Sequence, residues 1–395
     1  MLFVVSGIFA LLLILGFKTR ITTFICWYLL ISLHARNDHI LSGGDLMLRL
    51  LFFWSLFLPM GECYSLDNFF GFNKKKLSKQ IASFCTMGII LQVLFIYWFS
   101  VACKLQTSEW QNGSALYFSL NLAQYARPAA SFLLNLPKNF LTFLTYAIVL
   151  AEVILPLFLL APRKNGLIRL FAVTVLICLH LIFSIFFNLG LFHFVDIAAL
   201  FIFIPPVFWD KMTNSKFTGN NFADLKNLPI ANFLSLFFIT YIFLWNLGGL
   251  CSKQLIPEKY KWIGKSLLIE QKWNMFSPIQ RYSTWPVIPA KLKNGEEVDL
   301  FRNGQPVSWE KSKNLSAIFK NHYWLVYILR TTVWGPNNPY YLPSYAKFLC
   351  NDWNSNHPED KKIKSFEIYL IQNYTISKEG IGKPEKTLFY QYTCN

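Results

Sequence analysis

The chain is poor in charged residues and lacks the short motifs that mark many soluble enzymes. Only 15% of its 395 residues are Asp, Glu, Lys or Arg, whereas soluble domains carry about 25%. The deficit excludes an ordinary soluble protein, because much of this chain must find a non-aqueous solvent. The sequence also contains no Walker loop, GxGxxG, HExxH or GxSxG, so it offers no motif for the chemistries that these patterns support.

Acidic residues are scarce as well, since 21 Asp and Glu stand against 37 Lys and Arg and the net charge is +16. Nucleic acid is not the predicted partner, because no RNP, zinc-finger or helix-turn-helix pattern accompanies this charge. The basic residues instead mark topology. The segments between apolar runs fall alternately on two faces of a membrane. Those on one face contain twelve Lys and Arg in total and those on the other contain four, which predicts that the richer face is cytoplasmic. The lipid bilayer, with its anionic headgroups, is the partner that the charge favours.

Apolar runs are what the sequence has in quantity, and a span needs roughly 17–25 apolar residues. Eight candidates precede residue 251: Leu2–Gly16, Ile21–Leu33, Leu46–Met60, Ile81–Cys103, Phe140–Leu160, Leu167–Phe187, Phe194–Trp209 and Phe233–Leu250. The pattern predicts an α-helical polytopic membrane bundle of about eight spans, with the loops at 73–80 and 211–226 in the cytoplasm. Ala115–Leu134 is less apolar and favours a re-entrant or interfacial element, with a ninth span as the alternative.

After Leu250 the composition becomes that of a water-exposed domain. Short β-branched and aromatic stretches alternate with turn dipeptides, and Asn294-Gly295 predicts a hairpin with a type I′ turn. We therefore expect a transmembrane domain at 1–250 and an α+β domain at 251–395. The topology places the second domain on the exterior side, which is periplasmic or lumenal.

The eight cysteines form no CxxC pair and no Cys/His spacing typical of a metal site, so no metal is predicted. Cys350 and Cys394 lie in the predicted exterior domain, where a disulfide can persist. The sequence leaves open whether these two cysteines pair.

Three blocks carry a family resemblance. They are GFKTRITTFICWYLLISLHARNDHILSGGDLMLRLLFFWSLFLPMGECYSLD (Gly16–Asp67), CKLQTSEWQNGSAL (Cys103–Leu116) and QKWNMFSP (Gln271–Pro278). In this order they resemble the horizontally transferred transmembrane (HTTM) domain family, which includes the vitamin K-dependent gamma-glutamyl carboxylases. Further helices usually precede the first block in that family, so the resemblance implies that this chain lacks its first span or pair of spans.

The resemblance implies an integral-membrane enzyme that couples oxidation of a reduced quinone, such as vitamin K, to carboxylation or another modification of an exported polypeptide. Oxygen and carbon dioxide would be the co-substrates, and no metal would take part. The alternative function is a non-catalytic membrane scaffold or immunity-type protein that retains the fold.

Lys104 is the first candidate catalytic residue, because the similar block of the carboxylases holds the lysine proposed as the base toward the hydroquinone. A lysine withdrawn from water gives up its proton more readily; the competing interpretation is a helix-end anchor. His39 is the second candidate, since a histidine in a similar block is implicated in oxygenation. Its competing interpretation is a loop histidine bonded to backbone.

Five further residues are structural or relay candidates. Asp45 and Arg49 follow paired glycines and are interpreted as a helix cap and its i, i+4 partner. Glu152, His180 and Asp196 are ionisable groups inside apolar runs, which normally face the bundle interior and pair. For these three, a proton relay and interhelical stabilisation stay equally open.

Overall fold

The computed structural model describes residues 2–62, 65–71, 83–162, 166–205, 207–209, 229–312, 314–332, 341–376, 380–381 and 383–394. The chain divides into two compact units. A helical unit comprises Met1–Gln111, Tyr146–Leu181 and Leu191–Ser277, and a sheet unit comprises Asn112–Thr145, Ile182–Gly190 and Pro278–Asn395. The loops predicted to be cytoplasmic, 73–80 and 211–226, lie outside the described residues. The predicted boundary after Leu250, where apolar runs give way to a water-exposed composition, stays a prediction.

Helices dominate the first two thirds of the chain. In order they are α1 (Leu2–Ile14), α2 (Thr19–Arg36), α3 (Gly43–Ser55), α4 (Leu66–Phe69), α5 (Phe84–Lys104), α6 (Ser108–Gln111), α7 (Ala115–Leu120), α8 (Ala130–Leu134), α9 (Lys138–Leu159), α10 (Gly166–Phe186), α11 (Phe192–Leu200), α12 (Pro229–Cys251) and α13 (Lys261–Leu267). Ala115–Leu134 holds only the short helices α7 and α8, which agrees with an element that does not span.

The expected eight spans are not supported. Within the described residues, four helices are long and apolar enough to cross a membrane, namely α5, α9, α10 and α12. Both α1 and α3 have 13 residues and rise about 20 Å, short of the ~30 Å of hydrocarbon. Turn residues cut these runs: Gly16, with φ of +69°, follows α1, and Pro59 follows α3.

The central helix of the helical unit is α5. In its most apolar stretch of 18 residues 67% of the residues are buried, against 22–33% in the corresponding stretches of α9, α10 and α12. The helix begins where the Ser83 hydroxyl accepts a hydrogen bond from the Thr86 amide at 3.2 Å, a usual N-terminal cap. It packs against α12 and α3. Most side chains on α5 are therefore buried inside the helical unit.

The sheet unit is built on one long strand. The strands are β1 (Tyr282–Val287), β2 (Pro289–Leu292), β3 (Glu297–Asp299), β4 (Ile363–Ile376), β5 (Gly380–Ile381) and β6 (Glu385–Thr393). All pairings are antiparallel: β4 pairs with β1, β2, β5 and β6, and β3 pairs with β2. The helices α14 (Leu315–Ile318), α15 (His322–Thr332) and α16 (Tyr341–Asn356) complete an α+β unit.

The predicted hairpin is present, but its predicted turn type is wrong. Lys291 pairs with Glu297 across the turn, so the connection is longer than the two residues of a type I′ turn. Gly295 has φ of +90°, whereas Asn294 keeps a negative φ. Longer hairpin loops need only one residue in the left-handed region, which the glycine supplies without strain.

The core of the sheet unit lies between the sheet and the helices α15 and α16. It contains Trp285, Ile288, Leu325, Phe366 and Ile368, all at most 2% exposed. Cys350 of α16 forms a disulfide with Cys394 beyond β6, with their Cα atoms 5.9 Å apart. This pairing, left open by the sequence, ties the C-terminal strand to the helical layer.

Candidate functional site

The C-terminal end of α5 carries a buried ion pair. Lys104, the last residue of α5, is 5% exposed, and its Nζ contacts Oε2 of Glu152 in α9. The same Nζ lies 4.8 Å from the ring centroid of Trp110, within the range of a cation–π interaction. The helix end therefore does not present Lys104 to solvent as a snorkelling anchor. Carboxylate and ring replace the water that the ammonium has lost.

A second polar cluster lies deeper along α5. The Tyr97 hydroxyl donates to Oδ2 of Asp196 in α11, and it lies 3.0 Å from Nε2 of His180 in α10. The same imidazole nitrogen is 2.6 Å from Asp196 Oδ2. Tyr97, His180 and Asp196 are 4%, 4% and 0% exposed. Three helices thus bring one phenol, one imidazole and one carboxylate together away from water.

The two clusters share one helix, α5. Tyr97 and Lys104 are seven residues apart on α5, which places them on the same helix face about 10 Å apart along the axis. We call Tyr97, Lys104, Glu152, His180 and Asp196 the buried polar line.

Two of the sequence blocks meet beside Lys104. The Trp110 indole nitrogen donates to the Phe276 carbonyl at 2.8 Å, and the Ser277 hydroxyl donates to the Cys103 carbonyl at 2.7 Å. The first bond holds the ring that contacts Lys104; the second supplies a partner to one of the last carbonyls of α5, which a helix end leaves open. The segment QKWNMFSP therefore forms part of the wall of the candidate site.

The remaining block joins through the paired glycines. A side chain added at Gly43 would lie 3.4 Å from the Met275 sulfur, and one added at Gly44 only 2.5 Å from the Phe192 amide nitrogen. Gly43 and Gly44 do not have positive φ; the structure needs them for close approach rather than for an unusual backbone. The loop before α3 consequently packs against α11 and against the segment that meets Lys104.

Asp45 and Arg49 have separate polar contacts. The Asp45 carboxylate accepts hydrogen bonds from the amide and the hydroxyl of Ser42, both at 2.8 Å, and so closes the first turn of α3. Arg49 is 7% exposed and lies 3.5 Å from the Glu270 carbonyl oxygen. The Arg49 contact links α3 to the segment that follows α13.

His39 lies in a one-turn 3₁₀ helix, Asp38–Ile40, and is half-buried. Its backbone amide donates to the Asn37 side chain at 3.1 Å. His39 therefore lies in the loop that precedes α3, and Lys104 lies at the end of α5.

A family model described as the HTTM domain matches residues 1–209, more than half of the chain. The chain belongs to the HTTM domain family. The matched region includes α1 to α11 and every residue of the buried polar line.

Two curated relatives come from Bacillus subtilis (strain 168). Sporulation-delaying protein SdpB is 27% identical over 204 residues, covering 50% of this chain and 61% of SdpB. The uncharacterized protein YitO is 25% identical over 205 residues, covering 50% of this chain and 64% of YitO. The matches thus span less than two thirds of each relative. No solved structure matches the chain.

Sequence reasoning for the HTTM region missed Tyr97 and the partner of Lys104. Tyr97 lies in an apolar run where a tyrosine is unremarkable, but its spacing of seven residues before Lys104 was a usable signal. Glu152 was noted as an intramembrane carboxylate, yet no local pattern links it to a lysine 48 positions earlier.

Proposed function

We propose that this HTTM protein is an integral-membrane enzyme of the gamma-carboxylase type, which oxidises a reduced quinone and modifies a polypeptide on the exterior face. The supporting observation is the buried contact between Lys104 and Glu152, beside the segments that carry the family resemblance. Ionisable groups this deep are costly and usually functional. A lysine needed only as an anchor would lie at the surface.

The contact refines the role proposed for Lys104. A general base needs an uncharged amine, and Glu152 can accept the ammonium proton. That transfer converts two charged groups into two neutral ones, which the apolar surroundings favour over separated charges. Lys104 then takes a proton from a bound substrate hydroxyl, and the ammonium so formed stabilises the resulting anion. Every proton in this step starts and ends on a named group.

The site also suits the quinol that the family implies. Trp110 offers an aromatic face, and the amine of Lys104 with the carboxylate of Glu152 offers both a donor and an acceptor for a phenolic hydroxyl. When bound, the reduced quinone supplies the reducing equivalents, with O2 and CO2 as co-substrates. The chain's own contribution is to orient a hydroxyl and to exclude water from it.

Placement of the sheet unit on the exterior side is supported by the disulfide between Cys350 and Cys394. Disulfides persist in oxidising compartments and are rare in the cytosol. The exterior side is also where an exported polypeptide substrate becomes available. After reduction, an impermeant thiol reagent should label Cys394 from outside intact cells; labelling only after lysis would place this unit in the cytoplasm.

The direct test uses purified protein with reduced quinone, oxygen, labelled bicarbonate and a Glu-rich peptide. We expect label in the peptide with the wild type and its loss in Lys104→Arg, because a guanidinium cannot become the required base. Glu152→Gln should behave in the same way. The matched controls are Lys261→Arg and Glu258→Gln, which alter a solvent-exposed ion pair in the same unit. Full activity in Lys104→Arg would remove Lys104 from the mechanism.

The second candidate function is a non-catalytic scaffold or immunity-type protein. It is favoured by the mutual neutralisation of Lys104 and Glu152, which by itself satisfies both groups, and by the similarity to sporulation-delaying protein SdpB. This function predicts that no labelled product forms with wild-type protein. It also predicts that the double variant Lys104→Met/Glu152→Leu inserts and folds normally and keeps its cellular role.

A further inference from the structure

A third polar residue of α5 lies between the two clusters. Tyr97, Ser100 and Lys104 occupy positions i, i+3 and i+7, which share one face of a helix. Along the axis they are separated by about 4.5 and 6 Å. Ser100 is 3% exposed. One helix face therefore presents a phenol, a hydroxyl and an ammonium in succession, all withdrawn from water.

The Ser100 hydroxyl differs from other helical serines in this chain. Serines inside helices commonly donate to the carbonyl four residues earlier. Ser32 and Ser55 do so, at 2.7 and 2.8 Å. The Ser100 Oγ is buried, and the described residues give it no hydrogen-bond partner. Among the same residues Asp196 Oδ1 is also buried without one. Hydroxyl and carboxylate oxygen each retain hydrogen-bonding capacity in the interior.

The pair His180 and Asp196 must hold one proton between them. A lone carboxylate inside a membrane protein is strongly disfavoured, and Asp196 is fully buried. Neutrality is reached with an imidazolium beside a carboxylate or with an imidazole beside a carboxylic acid. In both arrangements one proton is shared across the 2.6 Å contact, and the Tyr97 hydroxyl is bonded to the same Asp196 oxygen.

We propose that Ser100 and Tyr97 conduct protons between the Lys104–Glu152 site and the His180–Asp196 pair. The inference rests on the proposed function, since it assigns an exit for the proton that Lys104 takes from substrate. Lys104 keeps the proton that it takes from substrate, and the proton that Glu152 held moves to the Ser100 oxygen, which releases its own to Tyr97. Tyr97 passes its proton to the Asp196 carboxylate. Ser100 and Tyr97 each form one O–H bond and break one, Glu152 loses a proton and the His180–Asp196 pair gains one, and the Lys104–Glu152 ion pair is restored.

Tyr97 and Ser100 are positioning and relay residues in this scheme, because neither touches the reacting hydroxyl. Proton transfer through Ser100 and Tyr97 requires either that the Ser100 hydroxyl rotates or that one polar atom bridges the gap on either side of it. It also assigns a role to the Tyr97 hydroxyl, which is bonded to Asp196 and lies beside His180. A purely structural tyrosine would have no effect on proton movement.

The first experiment measures proton movement without turnover. In purified, lipid-reconstituted protein, the infrared C–O band of Tyr97 is assigned by its loss in Tyr97→Phe, and its exchange is followed after transfer to D2O. We expect Ser100→Ala to slow this exchange by at least about tenfold. Ser100→Thr, which keeps the hydroxyl, should restore it. The matched control is Ser235→Ala, a fully buried serine of α12 outside the line.

Equal exchange rates in Ser100→Ala and Ser235→Ala would overturn the proposal, whatever the enzyme does. If Ser100→Ala does not fold, the exchange rate of Ser100→Thr is compared with that of the wild type. A faster or unchanged rate supports proton conduction through Ser100, and a rate slowed about tenfold despite the retained hydroxyl contradicts it. If no quinol-dependent activity is found, the proposed function fails while the exchange measurement still decides the proton line.

The second experiment applies once turnover is measured. Tyr97→Phe should lower kcat by about 10²-fold, leave KM unchanged and increase the solvent deuterium isotope effect, because proton transfer becomes limiting. Tyr241→Phe is the control: this tyrosine is also buried, and its hydroxyl donates to the Tyr260 carbonyl at 3.2 Å. Unaltered kcat and isotope effect in Tyr97→Phe would remove Tyr97 from the pathway.

Discussion

The helical and sheet units differ in where their acidic side chains form ion pairs. In the helical unit, the acids Glu152 and Asp196 are buried and each contacts a basic side chain. In the sheet unit, the ion pairs of Glu359 with Lys293 and Lys362 lie at the surface. The buried acid there, Asp299, accepts hydrogen bonds from the backbone amides of Ile288 and Phe301, and the Arg302 side chain lies 3.7 Å from it.

The difference follows from the solvent. A bilayer cannot hydrate an isolated charge, so ionisable groups among spanning helices must neutralise one another. A domain in water can leave its charges outside, where pairing contributes little. Buried opposite charges in the helical unit are therefore expected to be coupled strongly, and those of the sheet unit weakly.

The largest expected effect comes from breaking one buried pair. Glu152→Gln leaves the Lys104 ammonium without its carboxylate and should destabilise the protein by about 3–5 kcal/mol. Lys104→Met/Glu152→Leu removes both charges and should regain most of that loss. Thermal unfolding in detergent measures both. Glu359→Gln in the sheet unit serves as the comparison and should be silent; similar losses in both units would contradict the solvent argument.

The sheet unit should respond more to loss of its covalent link. The disulfide closes a loop with a sequence separation of 44, and replacing both cysteines by serine should lower the unfolding free energy by about 2–4 kcal/mol. Denaturant unfolding under reducing and non-reducing conditions provides the same comparison in the wild type. A change of this size after replacing the free Cys178, exposed on α10, would show that the effect is not specific to the disulfide.

Gly44 of the helical unit and Gly295 of the sheet unit are required for different reasons. Gly44→Ala places a methyl group 2.5 Å from the Phe192 backbone nitrogen and should cost about 1–3 kcal/mol by overpacking. Gly295→Ala meets nothing within 4 Å but must adopt φ of +90°, at about 1–2 kcal/mol. A compensating Phe192→Ala change should not rescue Gly44→Ala, because the clash is with backbone. Gly7→Ala, with open space around it inside α1, should not destabilise the protein and should stabilise it by about 0.5–1 kcal/mol.

The smallest effect concerns the pH dependence of the sheet unit. Burial raises the pKa of Asp299 above its ordinary value of 3.8, although hydrogen bonds from Ile288 and Phe301 oppose this. Because the folded-state pKa is the higher one, the stability that this group contributes is complete below 3.8 and is lost as the pH rises through the folded-state pKa.

Asp299→Asn should therefore stabilise the unit slightly at about pH 7, by about 1 kcal/mol or less, and not at about pH 3. Both backbone amides donate to Oδ1, which asparagine retains. Near-ultraviolet circular dichroism on heating, at the two pH values, measures the difference. Equal changes at both pH values would mean that packing, and not ionisation, is altered.

The alternation of apolar runs with basic segments was enough to predict a helical membrane protein. An apolar helix satisfies its backbone hydrogen bonds internally and can therefore lie in hydrocarbon. It was not enough to count spans. Leu2–Gly16 and Leu46–Met60 look apolar enough, but their helices end after 13 residues at turn residues. The length of a helix depends on where its backbone turns, which hydropathy does not report.

In the sheet unit, Asn294-Gly295 located the hairpin because glycine is the residue that tolerates positive φ. The turn type could not be predicted from the sequence, because it depends on the strand register, which is set by the pairing of β2 with β3 and β4. The disulfide of Cys350 with Cys394 could only be left open for the same reason: its partners come from a helix and from the end of a strand.

The sequence by itself determined the family, the apolar helices and the identity of the ionisable residues inside them, because each of these depends on local composition and order. Only the tertiary structure decided which of those residues meet. Lys104 contacts Glu152, which lies 48 positions later in the chain, and Tyr97 contacts Asp196, which lies 99 positions later. A buried charge must be neutralised by some partner, but packing of α5 among α9, α10 and α11 selects that partner.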